Sequence, residues 1–210
     1  MAGQSLTSPQ PSQKANYRHR LKYTMAIETT TLAGGCFWCL QPIFQELKGV
    51  KSVECGYSGG HLSNPTYQQV CTGTTGYAES IRVAFDPSMI SFEELLHVFF
   101  SVHDPTTINR QGYDVGTQYR SMIFYESDAQ KVVAARIIAE VDKEGSWRRP
   151  VVTEVTPFKA FYRAEEHHQD YFKKNPNAGY CVAIIAPKVS KFRKEFRKRL
   201  NVMANLRREE

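Results

Sequence analysis

The first patterned part of the chain joins a strand to a helix through a glycine pair. Residues 29–33 are mostly β-branched and predict a short strand, which Gly34 and Gly35 close. Apolar residues then recur at helical spacing over residues 37–47. Cys36 therefore lies at a strand-to-helix turn, and any fold of this chain must build a strand and a helix around that cysteine.

The rest of the chain alternates between strand and helix patterns. Strands are predicted at residues 50–57, 77–86, 118–125 and 151–155, and helices at 91–103, 127–141 and 159–172. Capping pairs open two of these helices, Ser91 with Glu94 and Ser127 with Gln130. Residues 58–75 predict a long loop. Gaps of hairpin length favour antiparallel pairs, so we predict an α+β fold with a mixed sheet and helices packed on it.

The formal charge of +6 comes from the two ends of the chain. Residues 1–27 carry basic and no acidic side chains, residues 188–210 are strongly basic, and residues 28–187 are net acidic. Because phosphate neutralisation supplies most nucleic-acid affinity, we expect no nucleic-acid groove in the body. We predict a disordered basic N-terminal tail (1–27), a catalytic domain (28–187) and a basic amphipathic C-terminal helix or tail (188–210).

The cellular location is predicted from the lack of two apolar features, a membrane span and a secretory signal. No apolar run approaches the roughly 20 residues that cross a bilayer, and no apolar segment follows a basic start as in a secretory signal. We expect a cytoplasmic protein with no membrane partner, and the basic start leaves organelle import as the alternative. An odd set of five cysteines argues against stapling disulfides and for redox chemistry, metal binding or packing.

Two residues stand out chemically. A thiol before a helix start meets free N–H groups and the positive end of the helix dipole, so we expect a lowered pKa and a nucleophilic Cys36. Glu79 is in phase with the apolar residues Ile81 and Val83, which points its carboxyl into the core. A buried carboxyl stays protonated near neutral pH and can serve as a general acid.

The cysteine spacing leaves two other readings open. Cys36 and Cys39 form a CxxC pair at a helix start, as in a thioredoxin-like dithiol oxidoreductase. Cys36, Cys39, Cys55 and Cys71 could form a zinc module, although only one closely spaced couple exists. The first reading gives Glu79 no role, and the second lacks the usual second couple of ligands.

Taken together, the motifs GGCFWC, NPTY, GYAE, HDPT and GTQYRS, in this order, resemble the A-type methionine sulfoxide reductases. The resemblance covers residues 29–181 and implies a two-layer α/β sandwich with a ferredoxin-like core. It implies reduction of methionine S-sulfoxide, in proteins and as the free amino acid, to methionine. The resemblance further implies that oxidised proteins are the substrates, that thioredoxin is the external reductant, and that no metal or bound cofactor is needed.

The resemblance also implies a role for each matching residue. Cys36 is the nucleophile, Phe37 and Trp38 bind the substrate S-methyl group, and Glu79 protonates the sulfoxide oxygen. Tyr67 and Tyr119 hydrogen-bond that oxygen, and Asp104 is a supporting residue.

Cys181 matches the cysteine that resolves the Cys36 sulfenic acid. Many relatives have glycine at position 39 and a second cysteine in a glycine-rich tail, which this chain lacks. We therefore expect Cys181, on a mobile segment, to be the resolving thiol, with Cys39 as the alternative.

Overall fold

The computed structural model describes residues 26–201. The strands are β1 (Glu28–Gly34), β2 (Val50–Ser58), β3 (Ala78–Phe85), β4 (Arg110–Gln111), β5 (Asp114–Val115), β6 (Ser121–Tyr125), β7 (Glu154–Pro157) and β8 (Phe161–Arg163). The α-helices are α1 (Phe37–Gln45), α2 (Tyr67–Cys71), α3 (Phe92–Val102), α4 (Asp128–Glu144), α5 (Tyr171–Lys174) and α6 (Ala186–Glu195). The predictions for residues 1–25 and 202–210 lie outside the described part.

Six strands form one sheet in the order β7-β6-β1-β3-β2-β8, and β4 and β5 form a separate hairpin. The four central strands are antiparallel, and with α1 and α3 they give the β-α-β-β-α-β order of a ferredoxin-like core. β7 pairs with β6 in parallel, and β8 adds to the other edge. The predicted α+β class with a mixed sheet is confirmed.

The main core lies between the helices and one face of the sheet. Leu32 of β1, Ile81 of β3 and Ile123 of β6 are fully buried there, facing Leu40 of α1 and Phe99 of α3. On the other face, a smaller cluster of Ala33, Ala78, Met122 and Phe124 is covered by Phe158. Both faces of the sheet are therefore covered near the end of β1, which makes the interior there a low-dielectric site.

The short-range signals in the sequence were correct. Ser91 and Glu94 form the predicted reciprocal capping box at α3, and the Ser127 hydroxyl accepts the Gln130 N–H at the start of α4. Each cap satisfies helix N–H groups that would otherwise lack partners, and it depends only on residues three apart.

Four predicted elements were wrong in part. The predicted loop over residues 58–75 contains α2, which a Thr66–Gln69 capping box opens. The predicted strands at 118–125 and 151–155 begin only at Ser121 and Glu154. Residues 159–172 do not form one continuous helix, because Phe161–Arg163 pairs with the edge of β2. Helical structure in this range is limited to the 3-10 turn Glu166–His168 and the start of α5 at Tyr171. Edge pairing there outweighs the local helix propensity.

The last described segment packs on the body. A π-helical turn, Cys181–Ile185, runs directly into α6, whose Val189 and Phe192 are buried. Leu200 then forms a bridge with Leu47 at the end of the chain's described part. Within residues 26–201, no helix has the length and apolar character that a membrane span requires.

Candidate active site

The strand-to-helix turn places Cys36 at the N-cap of α1. Gly35 has φ +87°, and a Cβ there would lie 2.5 Å from Cγ of Gln111, so a side chain is excluded on two grounds. The turn brings Cys36 to the edge of the core, where 8% of the residue remains exposed. The thiol is thus enclosed on most sides but still open to a substrate.

Glu79 lies directly beside this turn. Its Oε2 accepts the backbone N–H of Phe37 at 3.1 Å, and its carboxyl is within hydrogen-bonding reach of the Cys36 thiol. Only 1% of Glu79 is exposed. Burial raises the pKa of the Glu79 carboxyl to about 8, although the Phe37 N–H works against this shift. At neutral pH the carboxyl is therefore mostly protonated, as a general acid must be.

The two thiols of the CxxC pair face each other. Burial raises the pKa of the Cys36 thiol, with the Cys39 contact and the Glu79 charge acting in the same direction. The contact with Cys36 lowers the pKa of Cys39 to about 7, with the positive charge of Lys188 also contributing. The lowered pKa expected for Cys36 from the helix start is therefore wrong, because desolvation outweighs the dipole at this N-cap.

An aromatic wall adjoins Cys36. Trp38 stacks on Tyr171 with ring centroids 3.7 Å apart, and Phe37 packs against His168 at 5.2 Å. His168 is 1% exposed, and burial lowers its pKa to about 4, so its ring is neutral. The wall is aromatic and uncharged. Its His168 and Tyr171 come from the segment predicted as a regular helix.

The two tyrosines expected at the site are half-buried beside Glu79. Tyr67 is the first residue of α2, and its backbone N–H donates to Glu165 Oε1 at 2.9 Å. Tyr119 ends a short 3-10 turn, Thr117–Tyr119. Burial raises the pKa of both hydroxyls, and the charge of Glu79 adds to this effect. Both phenols therefore keep their protons and can act as hydrogen-bond donors.

Two aspartates, Asp104 and Asp114, differ in their relation to the site, and only Asp104 was identified from the sequence. Asp104 lies in the turn after α3, where its Oδ1 accepts the backbone N–H and the hydroxyl of Thr106. Its supporting role stays a prediction. Asp114 of β5 instead accepts a 2.7 Å hydrogen bond from the Tyr180 hydroxyl, and its charge acts on Glu79. Its place two residues before the start of the GTQYRS motif was the available signal.

The remaining cysteines have different surroundings. Cys181 is fully buried in the π-helical turn, so the expectation of a mobile segment at this point is wrong. It lies near enough to Cys39 for the charge of that thiol to raise its pKa, after the larger effect of burial. Cys55 is buried and donates to the Phe37 carbonyl at 3.8 Å, whereas Cys71 is exposed.

All five thiols are free. Among the residues from 26 to 201, no group of three or more His, Cys, Asp or Glu side chains is placed to hold a metal ion.

A thiol at a helix N-cap, next to a buried protonated carboxyl and a second thiol, is the arrangement of a cysteine-dependent oxidoreductase. Comparison with known proteins specifies the family. The family model "Peptide methionine sulfoxide reductase" matches residues 28–200. The chain belongs to the peptide methionine sulfoxide reductase family.

Relatives and solved structures agree with this assignment. The peptide methionine sulfoxide reductase MsrA of Saccharolobus solfataricus is 52% identical over 170 residues, which cover 81% of this chain and 95% of that protein. Methionine sulfoxide reductase A of Corynebacterium diphtheriae has a TM-score of 0.66 at 34% identity, covering 75% of this chain and 78% of that one. Reduced Mxr1 from Saccharomyces cerevisiae gives 0.64 at 37% identity, covering 74% and 89%.

Proposed function

We propose that this chain reduces methionine S-sulfoxide, in oxidised proteins and as the free amino acid, to methionine. The observation that carries the proposal is the pairing of the Cys36 thiol with the buried Glu79 carboxyl, which also holds the first N–H of α1. A sulfoxide oxygen leaves only when protonated, so the reaction needs a sulfur nucleophile and a neutral acid side by side.

In the first step the Cys36 sulfur attacks the sulfoxide sulfur. One oxygen of the Glu79 carboxyl donates its proton to the sulfoxide oxygen, while the other accepts the proton of the Cys36 thiol. The transient sulfur–sulfur bond and the substrate S–O bond then break as a bond forms between the oxygen and the Cys36 sulfur, so the oxygen ends on Cys36 as a sulfenic acid. The sulfoxide gains two electrons and the thiol loses two, so the products are methionine and Cys36 sulfenic acid, with Glu79 still protonated.

The surrounding rings orient the substrate. Phe37 and Trp38 contact the substrate S-methyl group. These rings carry no charge, so covering them with a methyl group has no cost of desolvating a charge. Tyr67 and Tyr119, which keep their phenolic protons, donate to the sulfoxide oxygen. Together they distinguish the methyl side of the sulfoxide from the oxygen side, and so select one diastereomer.

The thiol that resolves the sulfenic acid is Cys39. Its side chain already faces Cys36, so a disulfide can form between residues 36 and 39 at the start of α1 without the larger rearrangement that buried Cys181 would require. Cys181 has the next role. Attack of its thiol on the Cys39 sulfur moves the disulfide to Cys39 and Cys181 and frees Cys36.

An external dithiol, thioredoxin, then reduces the remaining disulfide. The sulfur, proton and electron changes all balance among these side chains, the substrate and the dithiol, so the cycle includes no metal or organic cofactor. We place this repair activity in the cytoplasm.

The test of this function uses the two sulfoxide diastereomers with a dithiol. We expect turnover of the S form alone, measured by methionine release. Turnover of the R form at a similar rate, or disulfide exchange without any sulfoxide reduction, would contradict the proposal.

The recycling order is tested by mass spectrometry of non-reduced protein after one turnover. In the Cys181→Ser variant, we expect a peptide linking Cys36 to Cys39. In Cys39→Ser, we expect a stable Cys36 sulfenic acid and loss of multiple turnover with thioredoxin. A Cys36–Cys181 link in Cys39→Ser, with normal cycling, would reverse the order.

A further inference from the structure

The Tyr180 hydroxyl contacts two groups that have no role in the attack of Cys36 on the sulfoxide. It donates to Asp114 Oδ2 at 2.7 Å, and it lies 3.9 Å from the sulfur of Cys39. The three side chains come from separate parts of the fold: α1, the β4–β5 hairpin and the residue before the π-helical turn. Trp38 packs edge-on against the Tyr180 ring at 6.1 Å and fixes its position.

The direction of these hydrogen bonds follows from the number of protons. A phenol has one O–H, and Tyr180 gives it to Asp114. The oxygen lone pairs remain as acceptors for the Cys39 S–H. The chain is therefore Cys39 S–H to Tyr180 oxygen, and Tyr180 O–H to Asp114. Cys39 is 2% exposed, so a base dissolved in water has little access to that proton.

We propose that Tyr180 and Asp114 form a proton relay that removes the Cys39 proton when Cys39 attacks the Cys36 sulfenic acid. This rests on the proposed function, and specifically on Cys39 as the resolving thiol. Tyr180 touches a reacting sulfur and is a catalytic residue of this step, whereas Asp114 acts through it.

The step balances as follows. The Cys39 sulfur forms a bond to the Cys36 sulfur, and the S–OH bond of the sulfenic acid breaks. The Cys39 proton passes to the Tyr180 oxygen as the phenolic proton passes to Asp114. Glu79 protonates the leaving hydroxide, which departs as water. Asp114 then loses its extra proton to solvent, and Glu79 takes up a proton from solvent.

The electrostatics of the site support this coupling. The charge of Asp114 helps to hold the proton on Glu79. When Asp114 takes up a proton, that charge disappears and Glu79 releases its own proton more readily. In the reduced enzyme the Cys36 thiol is the main influence that lowers the pKa of Cys39. Oxidation of Cys36 consumes this thiol donor and leaves Tyr180 as the hydroxyl partner of Cys39.

Several groups face Cys39 and enter its pH dependence. They are Cys36 on α1, Lys188 on α6, Asp114 on β5, and Tyr180 and Cys181 at the π-helical turn. Apart from the reacting Cys36, which also contacts Glu79, Tyr180 is the group among these that hydrogen-bonds both Cys39 and a carboxylate. Replacement of Tyr180 alone therefore isolates the relay from the general field of the site.

The experiment is a single turnover of Tyr180→Phe, with methionine release and Cys36–Cys39 disulfide formation followed separately by rapid quenching. Phe keeps the packing against Trp38 and removes the hydroxyl. We expect the rate of disulfide formation, relative to the rate of methionine release in the same variant, to fall by about a hundredfold at pH 7, the usual size of a lost general base. The slowed rate should rise about tenfold per pH unit as solvent base forms the Cys39 thiolate, whereas the wild-type rate is flatter.

Tyr125→Phe, at the far end of β6, is the matched control and should keep both rates. Asp114→Asn should reproduce the steeper pH profile, since an amide takes up no proton. A purely structural role of Tyr180 would lower the rate without changing that profile.

Three results overturn the relay, and the first is slower disulfide formation in Tyr180→Phe with the wild-type pH profile. Disulfide formation in Tyr180→Phe at the wild-type rate and with the wild-type pH profile overturns the relay but leaves the proposed recycling route in place. Absence of a Cys36–Cys39 disulfide in the wild type overturns the proposed recycling route, and the relay with it. The wild-type measurement therefore separates the two failures.

Discussion

Replacement of Glu79 by Gln tests the central acid of the site. The amide keeps the size of the side chain and an oxygen that can accept the Phe37 N–H, but it has no acidic proton. Because burial sets the Glu79 pKa at about 8, about 90% of the molecules hold this proton at pH 7. We expect the chemical step to slow by about a hundredfold or more, as is typical when a general acid is lost.

The same carboxyl makes folding stability depend on pH. Its pKa is about 8 in the folded protein against 4.5 for the ordinary value, so the folded state holds the proton more tightly. The stability that this proton contributes is fully present below pH 4.5 and is lost as pH rises to 8. The loss is at most on the order of 5 kcal/mol. Glu79→Gln cannot ionise and should escape it.

Two assays check these expectations. Single-turnover methionine release at pH 7 gives the chemical step, and urea unfolding at pH 5, 7 and 9 gives the free energy of unfolding for wild type and variant. Relative to wild type, Glu79→Gln should gain stability with rising pH by a few kcal/mol. Glu93→Gln, with an exposed carboxylate on α3, is the control for both assays.

Either of two outcomes would refute the reasoning. A single-turnover rate close to wild type would mean that Glu79 is not the proton donor. A constant difference in unfolding free energy between pH 5 and pH 9 would mean that the Glu79 carboxyl does not stay protonated when it is buried.

Three further predictions follow from single contacts. Cys36→Ser should abolish methionine release with any dithiol, and residual turnover would exclude Cys36 as the nucleophile. Gly35→Ala should destabilise the fold by about 1–3 kcal/mol in urea unfolding, because its φ is +87° and Gln111 fills the space; unchanged stability would mean that the turn can relax. Phe192→Ala, which leaves a cavity under α6, should cost about 3–5 kcal/mol, and a much smaller loss would show that α6 contributes little to the core.

Signals that depend on neighbours in sequence were enough to predict much of this protein. The strand-to-helix turn at Cys36, the capping boxes and the inward side of Glu79 each follow from spacing along a few residues. Backbone geometry alone brings such residues together, so no knowledge of the rest of the chain is needed. The ferredoxin-like order was implied by the motif resemblance and is confirmed by the sheet.

Only the tertiary structure decided the rest. Residues 159–172 have helix-forming side chains, yet Phe161–Arg163 pairs with the free edge of β2. This pairing depends on a strand about a hundred residues earlier in the chain. The same holds for the pKa of Cys36, where burial by distant segments outweighs the local helix dipole. It holds too for Asp114 and Tyr180, which are far apart in sequence and meet beside Cys39 only because the hairpin and the π-helical turn fold against α1.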